Sequence, residues 1–287
     1  LMFGSQMGKT EVVLNWLGSI IHLWPGPVLL VQPTLDMAKR LNRQRLEPLL
    51  RETPVLSERI APARSRDSGN TMFLKEFQGG LFAADEVSSY PLEADDKGDP
   101  LENAEARTRT FPMGKVLITS TPGTRGACRI TEEFERRSDQ RRFAAFMPCC
   151  GGHEVIRWRE HMVWDQPDGE VWCQCPACGE RGAQHHKTTM LAGALWRSHA
   201  VGDGQTAGFH LPSWYAPAGW TPWEQIRDEF LRASKDPLLL KGWVNKHAAE
   251  AWEDEAVARV DSDGLMERAS RDAYPTGHCP AGVLLLV

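Results

Sequence analysis

Gly8-Lys9-Thr10 closes a segment, Gly4-Ser5-Gln6-Met7-Gly8-Lys9-Thr10-Glu11, whose residue types suit the binding of phosphate. Glycine lets backbone N–H groups close round phosphate oxygens, the lysine ammonium neutralises the outer phosphates, and the threonine hydroxyl reaches a magnesium ion. Three residues separate Gly4 from Gly8, one fewer than the usual pattern, so an ordinary Gly-Lys turn before a helix is the competing reading. Companions further along the chain decide between them. Asp85-Glu86 ends the apolar run Leu81-Phe82-Ala83-Ala84, where an acid can hold magnesium and its neighbour can orient and deprotonate a water. Lys9 and Glu86 are thus the candidate catalytic residues, and Gly8, Lys9, Thr10 and Asp85 the candidate nucleotide and magnesium residues. Ser120-Thr121, after the run Val116-Leu117-Ile118-Thr119, are candidates for sensing a γ-phosphate, although hydroxyls before Pro-Gly often only cap a turn. Arg107, Arg109, Arg125 and Arg129 are candidates for transition-state charge stabilisation.

A second chemistry lies in the cysteines. Five of the seven fall between Cys149 and Cys178. Cys175-Pro176-Ala177-Cys178-Gly179 is a knuckle whose glycine relaxes the turn, letting both thiolates face one metal ion. Its partner pair must come from Pro148-Cys149-Cys150-Gly151-Gly152-His153. Adjacent cysteines chelate one tetrahedral ion poorly, so the expected zinc ligands are Cys150, His153, Cys175 and Cys178, with Cys149 as the alternative to Cys150. The competing reading leaves Cys149 and Cys150 as small hydrophobes. Cys173 is expected to face away, and His185 and His186 to be solvated.

Positioning these groups calls for an α/β fold. Val28-Leu29-Leu30-Val31 is bounded by Pro25-Gly26-Pro27 and Gln32-Pro33-Thr34, which suits a strand buried on both faces. Thr34 reads as the N-cap of a helix to about Glu47, with Leu35, Ala38, Leu41 and Leu46 inward and Pro48 ending or kinking it. With the runs ending at Asp85 and Thr119, strands alternate with helices. Polar groups at the ends of parallel strands gather in the crevice where such sheets bind ligands. Nine of eleven tryptophans lie between Trp158 and Trp252, and these read mainly as core.

At 287 residues with 41% hydrophobic residues, the chain can bury a large core, and disorder is excluded as the default. A net charge of -5 gives no overall signature of nucleic-acid binding, yet residues 39–66 and 107–142 are arginine-rich and leave room for a local basic groove. No apolar run is long enough to span a bilayer, so no membrane role is expected. The first and last residues read as the ends of a piece: only Leu1, Met2 and Phe3 precede the loop, and residues 282–287 resemble a strand without a successor.

In this order, the motifs resemble the ATPase part of phage terminase large subunits of the lambda-like GpA family. Ser5-Gln6-Met7-Gly8-Lys9-Thr10-Glu11 is similar to the family's phosphate loop, Val31-Gln32-Pro33-Thr34 to its next strand end, Asp85-Glu86-Val87 with Tyr90-Pro91 to its acidic motif, and Ser120-Thr121-Pro122 to its coupling motif. The cysteine knuckle, Ala207-Gly208-Phe209-His210 and Trp243-Val244-Asn245 extend the similarity over nearly the whole chain. The resemblance implies a P-loop NTPase with a mainly parallel sheet (1–146), a zinc-ribbon-like segment (147–183), a Trp-rich linking subdomain (184–277) and the truncated first strand of a nuclease domain (278–287). It implies ATP, magnesium and zinc as cofactors, double-stranded DNA, a small terminase subunit and a portal or procapsid as partners, homo-oligomeric assembly, and action in the host cytoplasm.

Three departures accompany it. The strand and adenine-contacting segment before the loop are expected to be missing; a stretch before Leu81 is expected to be lost, leaving a gap in the core or forcing the pairing order to change, either of which would disable hydrolysis; and the endonuclease is expected to be absent. The alternatives are an inactive prophage remnant, a zinc-ribbon module binding DNA or a partner, and another P-loop DNA motor of helicase type.

Overall fold

The computed structural model describes residues 1–25, 28–60, 81–85, 99–107, 109 and 114–253, with only the backbone of 81–85. Expectations for Glu86, Val87, Tyr90, Pro91 and the strand at 283–287 fall outside these residues. Leu1–Trp252 forms one compact unit.

The chain opens with β1 (Met2–Phe3), both residues buried, so a strand does stand before the phosphate loop, contrary to expectation. Helix α1 (Lys9–Leu23) follows directly and buries Val13, Leu14, Leu17, Ile20 and Ile21 along one face. Burying such a side chain stabilises the fold by about 2 kcal/mol. Strand β2 (Val28–Val31) is half-buried rather than buried on both faces. Thr34 caps α2 (Leu35–Leu41), its hydroxyl oxygen accepting from the Met37 N–H at 3.2 Å. The helical path then widens into a π turn at Asn42–Leu46 and continues as α3 (Glu47–Glu52). Pro48 sits in the first turn of α3, where its missing N–H costs least, so it restarts the helix instead of ending it. Leu35, expected inward, is exposed, and no residue of α2 is buried. A short α4 (Pro54–Ser57) sets Leu56 beside Leu17, Ile21 and Leu50.

Strand β3 (Leu81–Asp85) runs parallel to β2, with Val28 opposite Leu81. After α5 (Pro100–Ala106), β4 (Val116–Thr119) pairs parallel with β3 on its other side, with Asp85 opposite Thr119. The expected gap before Leu81 is therefore not a gap in pairing: β3 has a neighbour on each side.

Past α6 (Arg129–Glu132) come β5 (Arg141–Phe146), β6 (His153–Glu154), α7 (Trp158–His161), β7 (Met162–Val163), β8 (Trp172–Gln174) and β9 (Arg181–Ala183). Strands β7, β8 and β9 form a small antiparallel sheet. Helix α8 (Lys187–Ala192), β10 (Leu195–Arg197), β11 (Phe209–Leu211), α9 (Trp223–Ala233) and α10 (Pro237–Trp243) complete the described chain. β11 lies between β1 and β5 and is parallel to both, while β10 adds antiparallel to β5. A parallel bridge from Met2 to Ser120 joins this sheet to the end of β4. Hence strands far apart in sequence flank the phosphate loop's own strand on both sides.

Candidate functional site

Parallel pairing brings the C-terminal ends of β1, β3 and β4 to one edge of the sheet, the edge where α/β folds collect ligands. The loop leaves β1 here. Gln6 and Gly8 take positive φ angles of 56° and 78°, the two left-handed turns that curl the loop into a concavity ahead of α1. Gly8 is the N-cap of α1 and has open space where a Cβ would sit, so the constraint at that position is its backbone angle. Gly4 is constrained by space: a Cβ there would lie 2.5 Å from the Ser213 Oγ and 2.8 Å from the Lys246 carbonyl oxygen. The Gly4 and Ser5 N–H groups donate to the Leu211 and Lys246 carbonyls at 2.9 and 2.7 Å. The Ser213 hydroxyl donates to the same Lys246 carbonyl at 3.1 Å. Residues more than 200 positions away therefore hold the loop's first arm.

Lys9 is 6% exposed. Its ammonium donates to the Gly4 carbonyl at 3.2 Å, across the loop, and to the Thr121 Oγ1 at 2.8 Å. Ser120 is fully buried, and its hydroxyl donates to the Thr121 carbonyl at 3.0 Å. Lysine, Ser120-Thr121 and the strand end at Asp85 are thus brought to one place. Thr10 lies in the first turn of α1, whose dipole favours an anion at this end. Of the candidate arginines, Arg129 pairs with Asp99, Arg125 pairs with Glu135 at 2.7 Å, and Arg107 and Arg109 are exposed.

The thiols converge differently from expectation. Cys149, Cys150, Cys175 and Cys178 place their sulfurs all within 4.8 Å of one another. His153 is not among them: its Nε2 hydrogen-bonds the Gly193 carbonyl at 2.9 Å and its ring packs edge-on against Phe146. Adjacent cysteines can both contribute because the Met147 carbonyl accepts from both Cys150 and Gly151 N–H groups, and Gly151 turns with φ 71°. Cys173 faces away into the core, where burial pushes its thiol up to about 12.

A family model for "Phage terminase large subunit gpA, ATPase domain" matches residues 1–196. The chain belongs to this gpA terminase family. A second model, "Terminase large subunit gpA, endonuclease domain", matches residues 206–287. Endonuclease-family sequence therefore begins well before residue 278, and the expected absence of that domain is corrected to this extent. The large terminase subunit of Enterobacteria phage P21 is 25% identical over 331 aligned residues, covering all of this chain and 50% of that protein. The chain thus spans about half the length of that relative. Two structures of the large terminase ATPase domain of Thermus phage P74-26 are similar, with TM-scores of 0.43 and 0.44 at 16% and 15% identity, each covering 87% of this chain and 86% and 87% of theirs. Among the described residues, no helix is long and apolar enough to cross a membrane.

In this gpA-family chain, the residues that sequence reasoning missed around the loop are Leu211, Ser213 and Lys246. Both hydrogen bonds that reach the loop are accepted by backbone carbonyls, of Leu211 and Lys246, which leave no signature in residue type. His210, beside them in β11, is fully buried, and burial lowers its pKa to about 3. The neutral ring bonds through Nε2 to the Ala248 and Ala249 carbonyls at 3.0 and 3.1 Å, tying β11 to the segment that reaches the loop. The tryptophans divide: Trp158, Trp214, Trp223 and Trp243 are buried core, as expected, whereas Trp220 is exposed; Trp214, Trp223 and Trp243 each donate the indole N–H to a backbone carbonyl. Gly123 and Arg125, just past the Ser-Thr pair, are laddered to Trp252.

Proposed function

We propose that the chain is the ATPase motor part of a terminase large subunit, coupling hydrolysis of magnesium ATP to movement of double-stranded DNA into a capsid in the host cytoplasm. One observation carries this reading: the Lys9 ammonium spans the loop and touches Thr121, beside the strand that ends in Asp85. In this reading Gly8 and Lys9 bind phosphates, Thr10 and Asp85 hold magnesium, Glu86 activates water, and Ser120 and Thr121 report loss of the γ-phosphate. Thr121 is suited to that role because a lysine that moves to a phosphate must change its bond to the threonine hydroxyl.

DNA phosphates would meet exposed arginines of the two basic stretches, such as Arg40 and Arg43, through contacts that do not depend on sequence. A homo-oligomer working with a small subunit and a portal follows from the family. Zinc at the thiol cluster completes the cofactors. The two flanking strands of β3 favour a working motor over a decayed remnant. ATP turnover measured with and without double-stranded DNA tests the proposal. The parent should hydrolyse ATP faster with DNA, and Glu86→Gln should lose at least about 100-fold. Absence of turnover in the parent under either condition would reject the motor.

A further inference from the structure

The thiol cluster gathers four cysteines and leaves His153 outside it, bonded to the Gly193 carbonyl. We propose that Cys149, Cys150, Cys175 and Cys178 bind one zinc ion as an all-thiolate tetrahedral site that fastens the β8–β9 hairpin to the turn between β5 and β6. This inference deepens the zinc part of the proposed function and rests on no step of ATP hydrolysis.

The distances fit. A tetrahedral zinc with metal–sulfur bonds of about 2.3 Å holds its sulfurs about 3.8 Å apart. The Cys149 and Cys178 sulfurs are 3.4 Å apart and those of Cys150 and Cys175 are 3.7 Å apart. Both pairs reach across the two turns, so each half of the site depends on the other.

The two turns match in construction. In the first, the Met147 carbonyl accepts from Cys150 and Gly151, and Met147 donates to Gly152 at 2.8 Å. In the second, the Cys175 carbonyl accepts from Gly179 at 2.9 Å and Cys175 donates to the Glu180 carbonyl at 2.8 Å. In each, a glycine with positive φ, 71° at Gly151 and 76° at Gly179, directly follows the second cysteine. Two like knuckles facing one point is the arrangement that closed structural zinc sites require.

The small sheet of β7, β8 and β9 supplies the reason for a staple. Three short strands with few residues each hold a hairpin poorly without a further tie. Cys149, Cys150 and Cys178 are exposed, so a hydrophobic core cannot be that tie at the turns themselves.

The test is zinc content of the purified chain under reducing conditions, with ATP turnover followed on the same samples. One zinc per chain is expected in the parent and in His153→Ala, and at least about 100-fold weaker retention against a chromophoric chelator in Cys149→Ser. Cobalt substitution of the parent should give the visible absorption of a tetrahedral thiolate site, a readout that needs no variant to fold. Absence of metal, two disulfides in place of four thiols, loss of zinc in His153→Ala, or unchanged retention in Cys149→Ser would each overturn the proposal. An active ATPase without zinc would reject the site alone, whereas a zinc-loaded chain without turnover would reject the motor alone.

Discussion

The phosphate loop and the thiol cluster are both turns carrying a short motif, yet the fold supports them in opposite ways. The loop is buried at Lys9 and gripped by β11 and the Val244–Ala248 turn, segments from the far end of the described chain. The cluster draws all four sulfurs from within thirty residues and leaves three of its cysteines at the surface. On the proposed function, the nucleotide would be a transient ligand whose cradle must keep its shape while empty, and distant packing would supply that rigidity. The proposed metal would organise its own ligands, so little else need converge on them.

The largest test of this contrast removes the cation at its centre. Lys9→Ala should lower ATP turnover by at least about 100-fold, as loss of a charge-stabilising donor does in other sites. A loss of less than about tenfold would mean that the lysine holds the loop and does not act on phosphate.

The next separates space from backbone angle. Gly4→Ala should destabilise the fold by about 1–3 kcal/mol, because the backbone at Ser213 and Lys246 has to move. Gly8→Ala, with open space but φ 78°, should cost about 1–2 kcal/mol and weaken nucleotide binding through the altered cradle. Denaturant midpoints and nucleotide titrations read both. An unchanged midpoint for Gly4→Ala would show that the distant clamp is loose.

Acid should open the clamp. Burial lowers the His210 pKa in the fold to about 3 from the ordinary 6.5, so its stabilisation is complete above 6.5 and lost as pH falls toward 3. The slope is about 1.4 kcal/mol per pH unit within that window. Glu250, raised by burial despite the nearby Arg142 and Arg157, takes up its proton early in the fold and offsets part of the loss. His210→Gln, which keeps an N–H donor but does not titrate, should flatten the urea midpoint between pH 6.5 and 5. A profile identical to the parent's would exclude His210 as the cause.

The smallest effect concerns communication. Thr121→Val removes one hydrogen bond to the lysine, and turnover should fall about tenfold with little change in stability. A change in nucleotide affinity alone would make Thr121 a binding group and not a reporter.

Much of this was legible because local rules carry it. The helix that follows Gly8, the Thr34 cap, and the strands ending at Asp85 and Thr119 follow from capping, apolar runs and strand ends. What the sequence hid was long-range. No pattern in Met2-Phe3 announces a strand, because two residues have no periodicity until β11 and Ser120 pair with them. The grip of Lys246 on Ser5 uses a carbonyl that every residue possesses. That Cys149 and Cys150 both join the thiol cluster, with His153 outside it, was hidden for a similar reason: the rule against adjacent ligands ignores a turn that swings both side chains to one side.

The claim that most needs testing is that the loop and its distant clamp act as one nucleotide site. Hydrogen exchange of the full chain, with and without a slowly hydrolysed magnesium ATP analogue, addresses it directly. Binding should slow exchange at the N-terminus of α1 and, in the same complex, at residues 209–213 and 244–248. Protection of the loop with no change in those two segments would contradict a shared site, and no protection at the loop would contradict nucleotide binding there.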